Sequence, residues 1–160
     1  MEDERRRQAQ STIDTVRRLR LLLNRGMARR LAPSGINLPQ FGAMALLTQL
    51  GEANMTVLTE ELGTTMGAVT NLIDKLVFAG YVERRRSEAD RRIVNVNMTA
   101  KGGEVLTEST ESFVEYASEI LARIDAAERD VFLKTYEHIV SVAEELSEQG
   151  AEANGTATDD

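Results

Sequence analysis

Apolar residues recur along most of this chain at three- and four-residue intervals, interrupted by one stretch of alternation. Ile13, Val16, Leu19, Leu23, Met27 and Leu31 mark a helical stripe over residues 11–31, and Leu21 and Leu22 widen it. A face that broad predicts a helix with partners on more than one side. Arg17, Arg18, Arg20, Arg25, Arg29 and Arg30 fill much of its remainder, a solvated and ion-pairing surface. Ala32-Pro33-Ser34-Gly35 reads as a turn, and Asn37-Leu38-Pro39 opens a helix carrying Phe41, Met44, Leu47 and Leu50 up to Gly51. A short helix over residues 56–62, with Leu58 and Leu62 four apart, stops at Gly63. Thr64 or Thr65 then caps another, whose stripe is Val69, Leu72, Ile73, Leu76 and Val77 and whose end is Gly80.

Residues 81–86 and 92–98 read as two strands joined by the polar loop 87–91. Helical spacing resumes after Thr99 with Val105, Leu106, Phe113, Ala117, Ile120 and Ile124. Asp125-Ala126-Ala127-Glu128 has the pattern of a capping box, and Phe132, Tyr136, Ile139, Val140, Ala143 and Leu146 follow on one face. Beyond Glu148 no apolar residue larger than alanine remains, which predicts a disordered tail over 149–160.

Two helices around a glycine turn form a helix-turn-helix, and a basic hairpin directly after it makes a winged helix. The expected fold is mainly α with a small β-wing. A winged helix-turn-helix over 38–98 stands between a dimerisation helix and turn (1–37) and dimerisation helices (99–148). The second helix has a polar leading edge suited to a major groove. Thr65, Thr70, Asn71 and Lys75 are candidates for base edges, with Lys75 able to hold a phosphate instead, and Thr64, Gly67 and Ala68 stand where the backbone would approach. The hairpin carries Arg84, Arg85, Arg86, Arg91 and Arg92, a local positive field for phosphates. Arg84, Arg86 and Arg91 are backbone candidates. By alternation Val82, Arg84 and Arg86 share one strand face, so two arginines could track one phosphate run.

The segment 58–106 resembles the winged-helix core of MarR-family transcriptional regulators. The resemblance rests on Leu62-Gly63, on "LIDKL" followed by "GYVERR" from Leu72 to Arg85, on Asp90-Arg91-Arg92, and on Thr99-Ala100-Lys101-Gly102. It implies that Arg92, oriented by Asp90, enters the minor groove, and that residues 53–55 add a strand to the hairpin. It also implies a homodimer built from terminal helices, which would read pseudo-palindromic double-stranded DNA with half-sites about 34–36 Å apart. A small aromatic or anionic effector that relieves repression is a further implication. Met27, Met44, Met55 and Met66 could line its pocket or belong to the core.

Composition narrows the alternatives. The 160 residues contain no cysteine and one histidine, His138, so thiol chemistry is impossible and neither a metal cluster nor a catalytic triad can be assembled. An enzyme, a cofactor and a metal are therefore not expected. No apolar run approaches about 18 residues and the N-terminus lacks a signal core, which leaves the cytoplasm as the expected compartment and no membrane partner. The net charge of −7 argues against DNA until it is divided: residues 1–100 carry 15 basic against 11 acidic side chains, and residues 101–160 carry 4 against 15. The acidic third leaves one competing reading, a winged helix that docks a basic protein and has no operator of its own.

Overall fold

Ten segments of regular structure follow one another in the computed structural model, which describes residues 2–86 and 93–155. Helix α1 spans Glu2–Leu31, and a single 3-10 turn at Ala32–Ser34 leads to α2 (Leu38–Leu50). Strand β1 (Glu52–Asn54), α3 (Met55–Glu61), α4 (Met66–Ala79), β2 (Val82–Arg86) and β3 (Val94–Met98) come next. Helices α5 (Ala100–Leu121) and α6 (Ala126–Gly155) complete the chain. The three strands form one antiparallel sheet in the order β1-β3-β2, with Ala53 opposite Val96 and Arg84 opposite Val96 on its other side. The mainly α fold with a small wing is the one the periodicity predicts.

Local chemistry explains the element boundaries. The reciprocal capping box lies at the start of α2, where Asn37 accepts from the Gln40 N–H at 3.0 Å and Gln40 accepts from the Asn37 N–H at 2.9 Å. At Asp125, where the sequence pattern suggests such a box, the carboxylate accepts instead from the Ala127 N–H at 2.9 Å. Asn54 ends β1 and caps α3 by accepting from both Thr56 and Val57. Gly63 (φ 58°) makes the turn between α3 and α4 in left-handed backbone that a side chain would strain. Helix α6 continues to Gly155, past the tail predicted from residue 149, because the alanines and glutamate at 151–153 are good helix formers and no proline stops them. Residues 156–160 lie outside the described residues.

The chain divides into two compact units, one ending at Tyr116 and the other beginning at Ala117. The core of the first is built from Ala43, Met44 and Leu47 of α2, Leu58 of α3, Val69, Ile73 and Leu76 of α4, and Val82 and Val96 of the sheet. It reaches beyond residues 38–98: Leu31 and Ile36 enter from the N-terminal side and Leu106 from α5. Phe113 of α5 meets Phe41 of α2 edge-on at 4.8 Å. Tyr116 lies against Gly26 of α1, where any Cβ would strike its ring, and the Arg30 guanidinium sits 4.1 Å from the ring centre. Met44 is fully buried while Met66 is largely at the surface, so these two do not share one pocket. In the second unit, Phe132 stacks on Tyr136 at 5.8 Å, and α6 exposes both of them with Val131, Ile139 and Leu146.

Candidate nucleic-acid interface

Helix α4 has an interior face and a bare one. Val69, Ile73 and Leu76 are fully buried, whereas Thr64, Thr65, Gly67, Ala68, Thr70, Asn71 and Lys75 are all exposed. At about 100° per residue, Gly67 and Lys75 fall within about 40° of Asn71 on the helix surface, and Ala68 within about 60°, while Thr64 precedes the helix. Thr65 and Thr70 lie on the flanks of that line. A shallow depression joins Gly67, Ala68, Asn71 and Lys75 to Asn37, Pro39 and Gln40 at the start of α2.

Hydrogen bonding already made inside the chain limits what each group can offer. The Thr65 oxygen accepts from the Ala68 N–H at 3.3 Å, as an N-cap, and its hydroxyl proton remains to be donated. Thr70 donates its one hydroxyl proton to the Met66 carbonyl at 2.8 Å, so it presents only lone pairs and a methyl group. The Asn71 amide and the Lys75 ammonium make no hydrogen bond or ion pair among the described residues. Asn71 thus keeps both donor and acceptor, the pair that adenine's N7 and N6 can meet together. A Cβ on Gly67 would meet nothing within 4 Å, so neither packing nor backbone angle requires glycine there.

The far end of α4 is pinned. Gly80 (φ 75°) turns the chain and donates to the Leu76 and Val77 carbonyls. Lys101 of α5 donates to the Ala79 carbonyl at 2.8 Å and lies over the Tyr81 ring at 4.9 Å. The Thr99 hydroxyl reaches the Gly80 carbonyl at 2.7 Å and accepts from the Gly102 N–H at 3.0 Å, capping α5. A Cβ on Gly102 would run into the Tyr81 carbonyl, so only glycine lets α5 pass so close to the α4–β2 corner. Tyr81 extends the brace by donating to the Ser34 carbonyl at 2.9 Å.

The hairpin departs from the expected phosphate track. Val82 is buried, and on the same strand face Arg84 pairs with Asp74 of α4 at 2.7 Å. Arg84 therefore ties β2 to α4 and partly neutralises the Asp74 carboxylate. Arg85 pairs with Glu83. Arg86, opposite Val94, is exposed and has no ion pair among the described residues. Asp90, Arg91 and Arg92 lie outside the described residues. Two features were not singled out from the sequence: the Asp74–Arg84 pair, and Phe78, whose side chain is almost wholly exposed on α4. For Phe78 a signal existed, since it stands seven residues after Asn71 and outside the apolar stripe. Among the described residues no group of three or more His, Cys, Asp or Glu could hold a metal ion, and no helix is long and apolar enough to cross a membrane.

A helix-turn-helix braced against a three-stranded wing defines the winged-helix class. The family model that matches, over residues 36–94, is the MarR family. Residues 36–94 thus match a MarR-family domain, and the relatives that this chain is similar to are named as transcriptional regulators. Transcriptional repressor MprA of Escherichia coli is 28% identical over 135 residues, spanning 82% of this chain and 74% of that one. The regulator PecS of Dickeya dadantii is 26% identical over 120 residues, spanning 73% and 72%. Among solved structures, a MarR family protein from Bacillus stearothermophilus superposes with a TM-score of 0.76 at 21% identity, covering 88% of this chain and 96% of that one. A mutant MarR from Escherichia coli complexed with operator DNA superposes with a TM-score of 0.66 at 21% identity, over 79% and 91%.

Proposed function

We propose that this chain is a sequence-specific, double-stranded DNA-binding repressor that sits on pseudo-palindromic operators as a homodimer. The observation that carries the reading is the bare face of α4: Asn71 and Lys75, neither with a partner among the described residues, beside a glycine at which a Cβ would meet nothing within 4 Å. That face fits a major groove, with Asn71 at base edges, Lys75 on base or phosphate, and Arg86 on the sugar-phosphate backbone. Thr65 supplies a donor and Thr70 an acceptor at the flanks. Arg91 and Arg92, with Asp90 orienting the latter, keep the wing role that the family resemblance implies. Similarity to the repressor MprA and to a MarR complexed with operator DNA supports both the DNA and the repression.

The homodimer is supported by the apolar residues that α6 leaves uncovered in one protomer. Relief by a small aromatic or anionic ligand belongs to the same reading, and it requires the ligand to favour one spacing of the two reading helices over another. Its place of action is the cytoplasm, beside the chromosome.

Selection of bound sites from random DNA tests the reading. The expected product is a pseudo-palindrome with half-sites one helical turn apart, bound with an affinity that falls steeply as salt rises. Failure to enrich any sequence, with equal weak binding to all DNA, would overturn it.

A further inference from the structure

We propose that Phe78 is a further specificity-determining residue of α4, and that its ring packs against the 5-methyl group of a thymine in the major groove. Its side chain is 96% exposed, on a helix whose opposite face is fully buried. Seven residues separate it from Asn71, so it lies about 20° from Asn71 around the helix and about 10.5 Å further along it. The ring therefore continues the line of Gly67 and Asn71 past the first two turns.

Its surroundings say what it meets. Asn71, Asp74 and Lys75 share one surface depression with it, so a single aromatic ring stands inside a polar frame. A protein partner held by the hydrophobic effect needs a contiguous apolar patch, which this frame interrupts. Phosphate gains nothing from the ring's face, and the adjacent Asp74 carboxylate is held by Arg84 at 2.7 Å. The thymine methyl is the apolar group that a major groove displays between hydrogen-bonding edges, and aromatic contact with it is a standard means of reading that base.

The inference rests on the operator-binding reading, and the test keeps the two apart. Sites selected by the wild-type protein are resynthesised with each thymine in turn replaced by deoxyuridine, which removes only the methyl group. Wild type and Phe78→Ala are titrated on each by fluorescence anisotropy. The expected result is one symmetric pair of positions where deoxyuridine weakens the wild type about fourfold per half-site, the value of one buried methyl group. Phe78→Ala binds the thymine site more weakly and is indifferent to the replacement there. An unchanged thermal midpoint shows that the variant is folded.

If the wild type senses no methyl, or Phe78→Ala senses it equally, the inference fails while the operator reading stands. It fails in the same way if Phe78→Ala changes self-association in sedimentation and leaves DNA affinity alone, which would make the ring a protein contact. If the wild type selects no site, both fall.

Discussion

At the scale of single residues, the informative positions are those where the protein has no internal use for what it carries. A glycine inside a helix costs about 0.5–1 kcal/mol against alanine, yet a Cβ on Gly67 would meet nothing within 4 Å and its backbone is ordinary helix. Gly67→Ala should therefore stabilise the fold by up to about 1 kcal/mol in denaturant titrations and weaken operator binding. Improved stability with undiminished affinity would mean that nothing approaches the helix at this point. Asn71→Ala should lose about 1–3 kcal/mol at particular base pairs, and Arg86→Ala should weaken all sequences alike and flatten the salt dependence by about one charge. A uniform loss for Asn71→Ala would move that amide to the phosphates. Residue type and spacing suffice to put Gly67 and Asn71 on the outer side of α4. That Thr70 has already given its proton to Met66 follows from a rotamer, which sequence does not specify.

Elements are where the family's short motifs acquire their physical content. Thr99-Ala100-Lys101-Gly102 is a joint: the threonine caps α5, the lysine donates to the Ala79 carbonyl at the end of α4, and the glycine lets α5 pass the Tyr81 carbonyl. Gly102→Ala should cost about 1–3 kcal/mol through forced separation of α5 from the α4–β2 corner, seen as a lower melting temperature. A melting temperature equal to wild type would show that the corner yields freely. Strand alternation correctly put Val82 and Arg84 on one face, but it could not show that α4 lies on that face as well. Hence Arg84 holds Asp74 and fastens β2 to α4. The pair is partly exposed and adds little to stability.

The whole molecule poses the problem of surplus apolar surface and divided charge. Val131, Tyr136, Ile139 and Leu146 remain exposed on α6 in the single chain. Ile139→Asp should leave a folded protomer that sediments as a monomer and binds a full operator far more weakly than wild type. A dimer that survives this change would place the twofold contact elsewhere. The acidic C-terminal third makes the net charge −7, while residues 1–100, which include α4 and the hairpin, carry a surplus of four positive charges. Local field governs association with DNA, so the total is a poor guide here.

Helix periods, caps, glycine stops and the basic hairpin are local properties, fixed within a few residues by backbone sterics and by which side chains shun water. From them the sequence alone determined a mainly helical chain with a wing, the extent of α4, and the polar residues that it turns outward. Tertiary structure decided everything that depends on two distant segments meeting. Leu31, Ile36 and Leu106 close a core that residues 38–98 do not fill alone, Arg84 is claimed by Asp74, and Phe78 is left bare because no neighbouring element packs over it. The reason is the same each time: spacing in a sequence records the face on which a residue lies, and only packing settles what that face meets.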